Sequence, residues 1–562
     1  MALLFRQATL FDGSGGERRE GLDLLVEGTR IAAVGKGLDL PPDGEVIEAD
    51  GLGLMPGIVD SHTHYDAQVT WDPTVTPSPH LGVSTCVIGN CGFTIAPCRA
   101  ADRDLVMRNL TQVEGMSLAV LRQGISWDFE DFPSYLDSLE GRGLATNLAA
   151  YIGHSALRTY VMGADAVERA ANDEEIATMA ALVREAMAAG AVGFATSTAP
   201  QHNGWAGRPM PSRLADDREL HALAGALGEA GRGLFMLTKG NRTDVPYLED
   251  LAAACGRPIM IAALLHNPTK PEGSLRELQQ IAEANARGRE LWGQVSCCPL
   301  TMDFTLASAY PLEGLTAWAP AMQAEGEALK RVFADPSFRQ AVRDELLQPA
   351  GVRLFNGEWG KLALTEAALP ENRALEHRAV ADLAASTGQD PLDWMLDFAI
   401  GEELKSLFTA QLLNSDETAV GEMLRHPNAS VALSDAGAHL TFFCDAGFGL
   451  HLMGHWARDL GAITLEAAVR ELTAKPAEIL RLPGRGRLEP GYAADLLLFD
   501  PNRVGRGAKR RVHDLPGGAP RLTTDALGLH GLWVNGTQLV DRDGRLEEAQ
   551  RPGQLLRAFS DS

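Results

Sequence analysis

The 562-residue chain contains no apolar run long enough to cross a bilayer, so an integral helical membrane protein is not expected. Cysteine is scarce: seven residues, odd in number and irregularly spaced, form no disulfide framework. The start, Met-Ala-Leu-Leu-Phe-Arg-Gln, lacks a basic leader followed by a sustained apolar core, so no secretory signal is expected. Positive charge is also in deficit. Fifty Lys and Arg face 74 Asp and Glu, a net charge of −24, which argues against nucleic acid or an anionic membrane as partner. Ser155, Ser197 and Ser434 stand in no Gly-x-Ser-x-Gly elbow, which speaks against a serine hydrolase. There is no internal repeat and no low-complexity tract. With 45% hydrophobic and 22% charged residues, the chain reads as an ordinary soluble globular protein of the cytoplasm.

What is present centres on Met55-Pro-Gly-Ile-Val-Asp-Ser-His-Thr-His-Tyr-Asp66. Side chains at i and i+2 of a strand face one way, so His62 and His64 point together and form half of a metal site. The chain around this stretch alternates strand-like apolar runs with helical patterns, the texture of parallel βα units. The runs are Gly57 to Asp60, Val83 to Gly89, Ala145 to Ile152, Ala191 to Ala195, Leu234 to Leu237, Ile259 to Leu265, Trp292 to Val295 and Ser430 to Ser434. Eight such runs predict a (β/α)8 barrel with its site at the C-terminal strand ends. The helical patterns Glu325 to Leu347 and Asn372 to Ala399 place a helical insertion at about 301–429. Both ends of the chain read as β-rich. Leu24 to Val26 and Ile31 to Val34 pair across Glu27-Gly28, and Leu532 to Val540 forms a hairpin at Asn535-Gly536. The expected organisation is therefore 1–55 and 481–562 as two parts of a small β-sandwich, and 56–480 as the barrel.

At the strand ends stand His62, His64, Cys91, His154, His266 and Asp435, a set with the donors of a zinc site. His154, in Gly-His-Ser, suits a supporting or substrate-contact role, with a catalytic part in helping the metal stabilise the oxyanion. Asp435 suits proton transfer. Cys91 reads either as a ligand or as a small buried hydrophobe, and His439 is left unassigned.

These residues resemble the amidohydrolase superfamily, and within it the N-acyl-D-amino-acid deacylases (D-aminoacylases). The matching segments are PGIVDSHTHYDAQVTWDP from 56, GVSTCVIGNCGFTIAPC from 82, YIGHSALRTYVMG from 151, GAVGFATS from 190, LSDAGAHL from 433 and GRLEPGYAADLLLFDP from 486. The resemblance implies that His62, His64 and Asp435 hold one metal, that Cys91 is a ligand or bridge, and that His266 serves a second metal. Two positions depart from the family pattern. The strand-five histidine is absent from Phe235 to Arg242, and Lys239 stands about there, either as a weakened second site or as a carboxylated ligand. The lysine that grips the substrate carboxylate, two residues past the strand-six histidine, is here Pro268, leaving Arg242, Lys239 or Lys270 as replacements.

The function expected is metal-dependent cleavage of an amide C–N bond in an N-acyl-D-amino acid or related small N-acyl compound. One Zn2+ would be tightly held and a second is allowed, with Asp435 as general base and then acid. The alternatives are a cyclic-amide or other C–N hydrolase without a carboxylate-bearing substrate, and a non-catalytic barrel scaffold. A homo-oligomer is compatible with the sequence.

Overall fold

The computed structural model describes residues 2–348, 354–440 and 445–559. These fall into two compact units, 1–264 with 275–297 and 421–562, and 265–274 with 298–420. No helix among the described residues is long and apolar enough to cross a membrane.

The larger unit is built on eight parallel strands hydrogen-bonded in chain order. They are β1 (Ile58–Asp60), β2 (Val83–Ile88), β3 (Asn147–Gly153), β4 (Gly193–Ser197), β5 (Leu234–Thr238), β6 (Ile259–Leu264), β7 (Leu291–Val295) and β8 (Ala429–Val431). All eight coincide with the apolar runs of the sequence, because a strand covered on both faces must be apolar almost throughout. The sheet curls. Past their C-terminal ends β1 and β8 meet through a parallel bridge between Thr63 and Ala436, where the His64 N–H donates to the Ala436 carbonyl at 2.7 Å. β8 stops at Val431, three residues before the predicted Ser434. Leu433 and Asp435 take positive φ values of 68° and 46°, which breaks the strand.

Helices cover the strands by the expected amphipathic spacing. In Asp173–Ala189 the buried positions are Ile176, Met179, Ala180, Val183, Ala186 and Met187, one stripe of a 3.6-residue period. Asn172 and Glu175 form a capping box at its start, and Gly190, at φ 110°, ends it.

A second, mixed eight-stranded sheet draws strands from both ends of the chain, including Ala2–Leu10, Arg19–Glu27, Arg30–Gly35 and Gly53–Pro56 from the first and Leu496–Phe499, Leu529–Val534 and Thr537–Val540 from the last. Its core contains Leu3, Phe5, Leu24, Val26, Leu496, Leu498 and Trp533, all buried. The hairpin closes at Asn535-Gly536 as the sequence indicated, with φ values of 46° and 77° that match a type I′ turn. This sheet feeds the barrel directly. Gly53–Pro56 pairs antiparallel with Leu496–Phe499, and the Gly57 N–H donates to the Asp495 carbonyl as the chain enters β1.

The smaller unit corrects the expectation of a purely helical insertion. Besides helices such as Gly326–Ala334, Pro336–Leu346 and Pro391–Gly401, it contains a four-stranded antiparallel sheet of Leu300–Thr305, Leu407–Leu413, Leu362–Glu366 and Arg378–Ala379. Its core is rich in rings, among them Trp318, Phe333, Phe338 and Phe408. The strands escaped notice because Thr, Asp and Gln interrupt their apolar pattern.

Candidate metal centre

Beyond β1 the chain continues extended through Ser61-His62-Thr63-His64, so alternate side chains diverge. Thr63 turns outward and is tied to the Val87 carbonyl by its N–H at 3.1 Å and its hydroxyl at 2.7 Å. His62 and His64 turn inward, both buried, with ring centroids 5.3 Å apart. From the other side the Ser434 hydroxyl donates to the His62 carbonyl at 3.0 Å, which fixes the Asp435 turn against this strand end. Gly437 makes the approach feasible, since a Cβ there would lie 2.7 Å from the His64 carbonyl carbon.

β2 ends in the turn Asn90–Gly92, with Cys91 at φ 57°. A side chain at Gly92 would meet the Ala195 carbonyl oxygen at 2.6 Å, so glycine lets this turn sit against β4. The Cys91 Sγ lies 3.6 Å from His62 Nε2 and accepts a hydrogen bond from the Thr238 hydroxyl, at the end of β5, at 3.1 Å. The ligating atoms of His62, His64 and Cys91 all fall within 4.8 Å of one another. Asp435 Oδ1 lies 3.3 Å from His62 Nε2 and 3.5 Å from His64 Nε2. Holding Cys91 and Asp435 at positive φ costs about 1–3 kcal/mol each, strain of the kind concentrated at functional sites.

The electrostatics match the geometry. Burial alone would push the Cys91 thiol up, but the imidazole of His62 outweighs it and draws the thiol down to about 7. Burial likewise opposes ionisation of Asp435, yet His64 and His62 hold its carboxyl well below the usual range. Both histidines rise against the effect of burial, His62 through Cys91 and His64 through Glu114. A thiol and a carboxyl drawn to their anionic forms between two imidazoles are a donor set that fits a divalent cation such as zinc.

Three supporting residues were not singled out from the sequence. The Gln294 side-chain oxygen, on β7, accepts from His62 Nδ1 at 2.7 Å. An amide oxygen can only accept, so Nδ1 carries the proton and Nε2 presents its lone pair to the cluster. Glu114, at the end of the helix Arg103–Val113, places a buried carboxylate oxygen 3.2 Å from His64 Nδ1. Glu219, in the helix Asp217–Glu229, accepts from His154 Nε2 at 2.7 Å. Only Gln294 left a sequence signal, as a polar residue inside an apolar strand.

The remaining expected site residues are placed differently. His154 is wholly buried with both ring nitrogens engaged, Nε2 donating to Glu219 and Nδ1 accepting from the Thr196 hydroxyl at 2.7 Å. Burial lowers its pKa despite Glu219, so it stays neutral. Neither ring nitrogen is free for a reacting group. Lys239 donates to Glu277 Oε1 at 2.6 Å. A carboxylated Lys239 would face Glu277 with like charge. His266 belongs to the smaller unit, where its N–H donates to the Asn414 side-chain oxygen at 3.2 Å and its carbonyl accepts from the Asn414 N–H at 2.8 Å. Its Nδ1 is buried without a hydrogen-bond partner among the described residues. His439, unassigned from sequence, donates its backbone N–H to the Glu114 carbonyl.

Residues 45–540 match the model of the Amidohydrolase family. The chain belongs to that family. This amidohydrolase is 31% identical to the D-aminoacylase of Alcaligenes xylosoxydans xylosoxydans over 540 residues, covering 95% of this chain and 93% of the relative. The N-acyl-D-aspartate deacylase of the same organism is 29% identical over 564 residues, covering 98% and 93%. Among solved structures, the amidohydrolase is similar to a D-aminoacylase at TM-score 0.66 and 24% identity, with 99% of each chain covered. It is also similar, at TM-score 0.67, 25% identity and 99% coverage of each chain, to the N-acyl-D-glutamate deacylase of Bordetella bronchiseptica complexed with zinc and a phosphonate mimic of the tetrahedral intermediate.

Proposed function

We propose that this amidohydrolase removes the acyl group from N-acyl-D-amino acids or closely related N-acyl compounds, using a divalent metal, zinc by donor chemistry. The observation that carries the reading is the convergence of His62, His64, Cys91 and Asp435 at the C-terminal ends of β1, β2 and β8. His62, His64 and Cys91 would hold the metal with Asp435 alongside, and His266 remains the candidate for a second ion. A divalent metal bound there supplies Lewis-acid polarisation of an amide carbonyl and eases the deprotonation of water.

The chain's own residues do the rest. Asp435 is ionised at neutral pH, so its carboxylate accepts the proton from the attacking water and returns it to the leaving nitrogen as the C–N bond breaks. Gln294 keeps the Nε2 lone pair of His62 available, and the Glu114 carboxylate beside His64 Nδ1 favours positive charge on that ring. His154, tied to Glu219 and Thr196, holds the ends of β3 and β4 in place. The domain boundaries at 55 and 481, and closure of the terminal strands into a small sandwich, belong to the same reading and are supported by the sheet that both ends share.

The test is elemental analysis of the purified protein combined with a screen of N-acyl-D- and N-acyl-L-amino acids. Stoichiometric metal and release of the free D-amino acid are expected. A metal-free protein that hydrolyses none of them would overturn the assignment.

A further inference from the structure

Of the basic residues the sequence suggested for a substrate carboxylate, Lys239 and Arg242 are each paired with a carboxylate of the protein. After β4 the chain runs through 198–216 before the helix Asp217–Glu229 begins. This connection emerges at the C-terminal strand ends, the same face that carries His62, His64, Cys91 and Asp435. Its short turn Pro211–Leu214 is clamped down by Ser212. The Ser212 N–H donates to the Ser155 hydroxyl at 3.3 Å, and its own hydroxyl donates to the Ser197 carbonyl at 2.9 Å. The next residue, Arg213, is therefore projected from a rigid point at the ends of β3 and β4.

A line of contacts runs from this arginine to the cluster. Arg213 Nη1 donates to the His202 carbonyl at 3.1 Å and to the Asn203 side-chain oxygen. The His202 ring is bonded to the Ser197 hydroxyl at 2.7 Å and packs edge-on against Phe93 at 5.0 Å, two residues beyond Cys91. Burial drives the His202 pKa down to about 3, with His439, His64 and Arg213 all adding to the effect and Asp435 opposing it. His202 is thus a neutral spacer between the cluster and the guanidinium.

The other basic side chains on the β4 and β5 connections are neutralised. Arg208 pairs with Glu168, Lys239 with Glu277 at 2.6 Å, and Arg242 with Asp217 at 2.9 Å. Arg213 alone among them has no carboxylate within ion-pair distance among the described residues, in a chain that carries 24 excess negative charges. Its two hydrogen bonds both use Nη1, so the Nε–Nη2 edge is uncommitted. That edge is the planar two-donor fork that matches a carboxylate.

We propose that Arg213, held by His202 and Asn203 on the β4 connection, receives the α-carboxylate of the substrate and so sets the preference for free N-acyl amino acids over neutral amides. The proposal rests on the deacylase reading above and adds the residue that would decide its substrate range.

The experiment compares an N-acetyl-D-amino acid with its carboxamide as substrates of the zinc-loaded wild type, Arg213→Gln and Arg213→Lys, with metal content and melting temperature of each recorded. For the acid, Arg213→Gln should raise KM by about 10- to 100-fold, the size of a lost charge-assisted fork. Its kcat and metal content should stay near wild type, and the carboxamide should be turned over almost as before. Arg213→Lys, which keeps the charge without the fork and guards against a folding defect, should fall between. Equal losses on acid and carboxamide, or no loss on either, would overturn the anchor while leaving the deacylase reading intact. A wild type that hydrolyses neutral amides but no N-acyl amino acid would overturn that reading itself.

Discussion

β1 and β3 both deliver histidines to the same end of the barrel, and their surroundings finish them in opposite ways. His62 has one nitrogen bonded to Gln294 and His64 has one beside the Glu114 carboxylate, while the other nitrogen of each faces Asp435. His154 has neither nitrogen to spare, because Thr196 and Glu219 occupy both and Arg158 pairs with Glu219 behind them. The residue type is the same, the burial is the same, and the strand position is equivalent. What separates a candidate ligand from a structural clamp is what the ring faces: a thiol, a carboxylate and a second imidazole for the β1 histidines, and a carboxylate already paired with Arg158 for His154. Two imidazoles, a thiol and a carboxylate gathered in a buried place are a donor set that a divalent metal satisfies.

Breaking the two sites should therefore have different consequences. The largest effect expected is from Asp435→Asn, which removes the proton acceptor without changing shape. Turnover should fall by about 10³- to 10⁴-fold while metal content is retained, as measured by steady-state kinetics and elemental analysis of the same preparation. Next is Glu219→Gln in the β3 clamp. Glu219 and Arg158 are both wholly buried. The substitution strands the guanidinium and should cost about 3–5 kcal/mol of stability in a denaturant titration, with metal content unchanged in the protein that remains folded.

Gln294→Leu sharpens the comparison from the other side. By removing the acceptor behind His62 it should weaken zinc binding by about 10- to 100-fold in a chelator competition, with little change in melting temperature of the metal-free protein. Gln294→Glu, which retains an acceptor, should recover most of the affinity. The smallest effect is on the pH dependence of stability. Burial raises the Glu219 carboxyl but His154 and Arg158 outweigh it, so its folded pKa lies below the ordinary 4.5. Its contribution is present above that value and is lost as the pH falls through the folded one. The stability gap between wild type and Glu219→Gln should thus be constant near neutrality and narrow below pH ~4.5; a gap that widened on acidification would contradict the ionised clamp.

The parts of the molecule visible in the sequence were those set by local rules. The eight barrel strands announced themselves as unbroken apolar runs, and Asn535-Gly536 specified its hairpin by turn chemistry alone. His62, His64, Cys91 and Asp435 were legible because each follows such a run directly. The rest depends on contacts between distant segments. Glu114 closes a helix 50 residues beyond His64, where nothing in its surroundings distinguishes it from a solvated carboxylate. The partner of Lys239 was equally hidden, since Glu277 lies on the following βα unit. Arg213 sits in a connection without periodicity, and its meaning lies in an absence of counter-ions that only the folded arrangement reveals. The strands of the smaller unit were hidden by polar residues at positions that the antiparallel sheet leaves half-exposed.

The central claim is that the β1 histidines, and not the β3 histidine, bind the metal. It is tested most directly by measuring zinc per chain after exhaustive chelation, re-addition and desalting, in wild type, His62→Ala, His64→Ala and His154→Gln. Wild type and His154→Gln should retain near-stoichiometric zinc while both β1 variants retain almost none. Zinc kept by the β1 variants, or lost selectively from folded His154→Gln, would contradict the account.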